Sequence, residues 1–121
     1  MKYSLNVFSI KKYSNIKSFL SAFRFARQRI TQGFADCDVW EMNTYITSVV
    51  AGMLKTLAET DNGYSPEFSS YEEWINELER VSALASVLSE KTFDGAFDDE
   101  IREEKEAVFD FIKNHFTELW D

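Results

Sequence analysis

Four stretches of this chain place apolar residues at the three-and-four spacing of an amphipathic helix, separated by short polar breaks. The first is expected to begin after Ser14 or Asn15, both good N-caps, and to put Ile16, Phe19, Leu20, Phe23 and Ile30 on one stripe before Gly33 stops it. Two residues break that stripe. Arg27 lies inside it, and Phe25 points the other way. Next comes Asp36-Cys37-Asp38-Val39-Trp40, read as a single helical turn capped by Asp36. The second long stretch, with Asn43 as its cap, puts Tyr45, Ile46, Val49, Val50, Met53, Leu54 and Leu57 on a broad face expected to be buried. Asp61-Asn62-Gly63 breaks it, and Ser65-Pro66 keeps the connection non-helical.

Ser70-Tyr71-Glu72-Glu73 is a capping box. The helix it opens carries Tyr71, Trp74, Ile75, Leu78, Val81, Leu84, Ala85 and Leu88 inward. A turn over Thr92 to Phe97, centred on Asp94-Gly95, leads to a last helix that starts at Asp98 or Asp99. There Asp99, Glu100 and Glu103 complement the positive end of the dipole, and the inward residues are Ile101, Val108, Ile112, Phe116 and Leu119. Residues 3–8 alternate instead, with Tyr3, Leu5 and Val7 on one side, which fits a short strand or extended arm. The expected fold is therefore mainly α: one domain over residues 1–121, a four-helix bundle-like body with a short N-terminal arm or strand.

Composition supports that reading. Hydrophobic residues make up 45% of the 121 and aromatics 16%, enough for one packed interior. Four glycines and one proline are too few for a turn-dense β-sandwich. No run approaches the roughly 20 apolar residues of a membrane span, and Met1-Lys2-Tyr3-Ser4-Leu5-Asn6 lacks the apolar core of a secretory leader. With a single cysteine, Cys37, no internal disulfide can form, so a cytoplasmic location in a bacterial host is expected.

Charge changes the picture more than composition does. The net charge is −8, yet residues 1–33 carry seven basic side chains and no acidic one, leaving −15 for the remainder. Two arrangements satisfy this split. The basic first helix can lie against acidic later helices, or an acidic face can be offered to a basic partner.

Catalytic templates fail. The single histidine, His115, suits the C-terminus of the last helix as a structural residue, and no phosphate-binding glycine loop or di-metal Glu-x-x-His pattern exists. Asp36 with Asp38, and Asp94 with Asp98 and Asp99, lack calcium-loop spacing, so neither a metal nor another cofactor is expected. The feature that stands out is Arg27-x-Arg29 followed by Asp36, Asp38 and Trp40. An arginine in an apolar stripe must be paired, so Arg27 is expected to be held by Asp36 or Asp38 with Trp40 over its stem. That corner serves either to fix an interhelical angle or to line a ligand pocket.

The run from Arg27 to Asn43 resembles a family of small helical proteins encoded by phages and prophages. They share an arginine-rich stretch, Gly-aromatic-Ser, then Asp-x-Asp-x-Trp and a helix of small and apolar residues. The likeness covers about residues 24–85, including Gly63-Tyr64, Pro66 and Glu72-Glu73-Trp74, with Ala35 where serine is more usual. It implies a phage accessory protein and brings no active site. By analogy with phage antagonists of host defence, anti-CRISPR inhibitors among them, an acidic surface can stand in for a nucleic-acid backbone. The leading expectation is a non-enzymatic inhibitor of a host nucleic-acid-binding effector, using Asp98, Asp99, Glu100, Glu103, Glu104 and Glu106. Alternatives are a binder of a small nucleotide-like ligand near Arg27, Arg29 and Trp40, or a nucleic-acid-binding accessory protein using the basic first helix, which the overall charge opposes. Phe25 and Trp120 are the residues that would serve self-association.

Overall fold

A computed structural model describes residues 16–60 and 63–120. The arm expected over residues 3–8, and the caps Ser14 and Asn15, lie outside the described residues. The fold is mainly α and bundle-like. Its elements are α1 (Ile16–Gln32), α2 (Asp36–Trp40), α3 (Met42–Thr60), α4 (Tyr71–Phe93), α5 (Asp98–Asn114) and a closing 3₁₀ turn, Phe116–Glu118.

Local chemistry explains the boundaries. Gly33 takes φ 89°, the left-handed conformation that ends α1, and its N–H donates to the Arg29 carbonyl at 3.0 Å. At the head of α4 the Ser70 hydroxyl accepts from the Glu73 N–H at 3.2 Å. Glu73 Oε2 reaches back one residue further than expected, to the N–H and hydroxyl of Ser69 at 3.1 and 2.7 Å. Gly95, at φ 82°, turns the chain between α4 and α5. Asn43 falls inside α3 rather than ahead of it, and its Oδ1 accepts from the Thr44 N–H.

The packed body consists of α3, α4 and α5, with α4 in the middle. Trp74, Leu78, Val81, Ala85 and Leu88 of α4 meet Leu54 and Ala58 of α3 on one flank and Ile101, Val108 and Phe111 of α5 on the other. Stacked on Trp74 at 5.7 Å, Phe111 joins a ring cluster completed by Phe68 and His115. His115 sits at the C-terminal end of α5, where its Nδ1 bonds Glu118 at 2.8 Å.

Toward the start of α3, its contact with α4 is made by small and hydroxylated residues. Ser82 donates to the Ala51 carbonyl at 2.7 Å, Ser89 to the Thr44 carbonyl at 3.1 Å, and the Thr44 and Thr92 hydroxyls meet at 3.0 Å. Thr44, Thr47, Leu54 and Ala58 are therefore the buried residues of α3. This corrects the expected inward face: Ile46 and Met53 are exposed, and Val50 and Leu57 only half-buried. Short side chains let the two helices approach closely, and each hydroxyl finds an acceptor inside the contact. On α5 the same kind of correction applies to Phe116, which is exposed, while Phe111 takes the buried position.

Candidate interaction surfaces

The corner between α1 and α2 is built around Arg29. Its Nε and Nη2 donate to the two carboxylate oxygens of Asp38 at 2.9 and 2.6 Å, a bidentate ion pair in which Asp38 is 3% exposed. Asp38 Oδ2 also accepts the Ala35 N–H at 2.8 Å, so this carboxylate, rather than Asp36, satisfies the start of α2. Asp36 makes a second tether: it accepts from Gln28 Nε2, while its own N–H donates to Gln28 Oε1, both at 2.9 Å. Burial alone would push the Asp38 carboxyl up, but Arg29 and the Ala35 N–H outweigh it and hold it below its ordinary value. Cys37, 1% exposed beside Asp38, has its thiol pushed up by burial and by that negative charge.

The expected pairing of Arg27 with an aspartate is thus replaced by that of Arg29. Arg27 is exposed because its stripe is exposed: Leu20, Phe23 and Ile30 are 60, 53 and 85% accessible. Instead α1 packs on α2 through the opposite face, where Phe25 meets Trp40 edge-on at 5.9 Å and the Arg29 guanidinium lies 5.8 Å from the Tyr45 ring of α3. Trp40 covers Phe25, not an arginine stem, and stays largely exposed. With its donors engaged by Asp38 and the Cys37 sulfur, Arg29 is a structural clamp.

A second surface lies where α4 turns into α5. Residues 90–106 carry eight acidic and three basic side chains, a net charge of −5. Glu104 is the one acid of the expected set that is not exposed; Lys91 Nζ binds it at 2.6 Å and holds its carboxyl below the usual range. Asp99 pairs with Arg102 at 2.7 Å and Asp98 with Lys105 at 3.1 Å, but both pairs are solvent-exposed and weakly coupled. Glu100, Glu103 and Glu106 are exposed and have no ion pair among the described residues. Phe97, directly ahead of α5 and three residues before Glu100, is 77% exposed. Sequence reasoning placed Phe97 only in a turn; its position between Gly95 and Asp98, where no helical face exists to bury it, was the available signal.

A third surface is a groove of roughly 440 Å³ between α3 and the end of α5, lined by Val50, Met53, Leu57, Thr60, Ile112 and Leu119 among others. Sequence reasoning missed it too, having assigned Val50, Met53 and Leu57 to a closed core. Among the described residues, no cluster of three or more His, Cys, Asp or Glu side chains could hold a metal ion, and no helix is long and apolar enough to cross a membrane.

Comparison of the chain with protein-family models, with curated proteins and with solved structures gives no match.

Proposed function

We propose that the chain is a non-enzymatic interaction protein whose acidic α4–α5 corner docks on the cation-rich groove of a nucleic-acid-binding partner and blocks it. The observation that carries this reading is the exposed Phe97 ring at the head of the helix that carries the exposed, unpaired carboxylates of Glu100, Glu103 and Glu106. An exposed aromatic can anchor a protein contact, and a rim of one charge sign steers an oppositely charged partner. A groove evolved to take phosphates would accept carboxylates on the same lysines and arginines. The likeness to phage-encoded proteins supplies the setting: an antagonist of a host defence effector, of the anti-CRISPR type, acting in the bacterial cytosol.

Immobilised chain exposed to bacterial lysate provides the test. Retention of nucleic-acid-binding proteins at low salt, with release as salt rises through physiological strength, is the expected outcome. Retention that ignores salt, or no retention of such proteins, would remove the electrostatic docking reading.

A further inference from the structure

A groove of roughly 630 Å³ runs between α3 and α4. Ser82 of α4 donates to the Ala51 carbonyl and Ser89 to the Thr44 carbonyl, so the two helices run antiparallel. The groove floor is shallow, because Ala51 and Gly52 of α3 and Ala83 and Ser86 of α4 line it with short side chains. No described neighbour accounts for Gly52: a Cβ added there would meet nothing within 4 Å, yet glycine weakens a helix interior. Three carboxylates, Glu59, Glu79 and Glu90, line the same groove against one cation, Lys55. All four are exposed and make no ion pair among the described residues. We propose that this groove receives a basic amphipathic helix of a partner protein.

Three features select that occupant. The first is the charge of the lining itself. The antiparallel register sets Glu59 and Glu79 toward one end and Glu90 at the other, and the step from Glu79 to Glu90 along α4 spans about 16 Å. Basic side chains about three turns apart on one helix would reach both ends. The second is backbone chemistry. Helices α3 and α4 satisfy their own backbones, and the Ser82 and Ser89 hydroxyls are engaged by the Ala51 and Thr44 carbonyls. An extended segment would leave its N–H and C=O groups unmatched along this floor, whereas a helix arrives with its own bonded. The third is depth. The spacing of packed helices depends on the side chains at the contact, so this floor lets a third axis come close and seats bulky apolar side chains over Gly52 and Ala83. A net charge of −8 opposes a second copy as the source of that helix and favours a partner of the other sign. The groove shares only Glu90 with the acidic stretch at the α4–α5 corner, so docking at either stands without the other.

The probe is a synthetic amphipathic peptide of leucine and lysine, about 18 residues long so that it is helical alone, with a leucine–glutamate peptide of the same pattern as control. Fluorescence anisotropy with the full chain reads binding. The parent should bind the lysine peptide, more weakly as salt rises, and not the glutamate peptide. Ala83→Trp, at an exposed position, fills the floor without changing charge, and Glu59→Gln/Glu79→Gln/Glu90→Gln removes the carboxylates. Each should weaken binding roughly tenfold while circular dichroism shows helicity retained. Glu100→Gln/Glu103→Gln/Glu106→Gln removes as much charge elsewhere and should change binding less than about twofold. Equal binding by the parent and Ala83→Trp, or an equal loss in the two triple variants, would overturn the proposal. So would either sign that this chain fills its own groove: a dimer in light scattering that Ala83→Trp abolishes, or an intramolecular disulfide in a Val7→Cys/Ala83→Cys variant made in a Cys37→Ala background.

Discussion

Arg29 grips both carboxylate oxygens of Asp38, at 2.9 and 2.6 Å, across the bend that Gly33 makes between α1 and α2. Because Asp38 also receives the Ala35 N–H, one buried carboxylate closes the start of α2 and anchors the end of α1 together. The direction in which α1 leaves the body, and hence the exposure of its apolar stripe, follows from this pair.

Removing the guanidinium leaves Asp38 charged, buried and without its cation. Arg29→Met should therefore loosen the corner by on the order of 3 kcal/mol. Arg27→Met, at an exposed position, should stay within about 0.5 kcal/mol of the parent. Amide hydrogen exchange of α1 and α2 reads the difference, with α4 protected in both variants. Equal protection of the corner in the two variants would contradict the assignment of Arg29 as the clamp.

Asp38 also gives the corner a pH dependence. Its folded pKa lies below the unfolded value of about 3.9, so its contribution is fully present above that value. It is lost as pH falls through the lower folded value. Protection of α1 and α2 in the parent should decline below about pH 4, while Asp38→Asn should show weaker protection with little change over the same range. A parent profile that stays flat to pH 2 would contradict this.

Cys37 reports on the same corner without perturbing it. Burial and the neighbouring carboxylate raise its thiol, so alkylation at neutral pH should be slow in the folded chain. Arg29→Met should accelerate it, because local opening exposes the sulfur. A labelling rate unchanged between parent and variant would argue against coupling of Cys37 to the clamp.

How much of this was legible in the sequence depends on the kind of signal. Helix α4 was readable because its cap and its apolar period agree: Ser70 and Glu73 fix the start, and Trp74, Leu78, Val81, Ala85 and Leu88 are all buried. Gly33 and Gly95 marked their turns because left-handed backbone favours glycine. Periodicity on α1 correctly grouped Leu20, Phe23 and Ile30, but a period says which residues share a face, not what that face meets. Arg27 was therefore read as buried with its stripe, and the partner of Asp38 was misplaced by two residues. On α3 the buried face is hidden because Thr44 and Thr47 rank as polar, although the Thr44 hydroxyl meets that of Thr92 on α4 and the Thr47 hydroxyl donates to the Asn43 carbonyl of its own helix.

Within α4 the buried core should be more sensitive than the cap. Trp74 is 1% exposed between Phe68 and Phe111, so Trp74→Ala should cost about 3–5 kcal/mol. Ser70→Ala, which removes one capping acceptor, should cost about 1 kcal/mol. Urea denaturation followed by circular dichroism separates the two. A smaller loss for Trp74→Ala than for Ser70→Ala would contradict placing the core along α4.

Competition between this chain and duplex DNA for a nucleic-acid-binding protein retained from lysate tests docking at the α4–α5 corner most directly. The parent should displace the DNA, and a Glu100→Gln/Glu103→Gln/Glu106→Gln variant, which disturbs no ion pair among the described residues, should need roughly tenfold more protein to do so. Equal displacement by parent and variant, or binding of the chain and DNA side by side on the same protein, would contradict it.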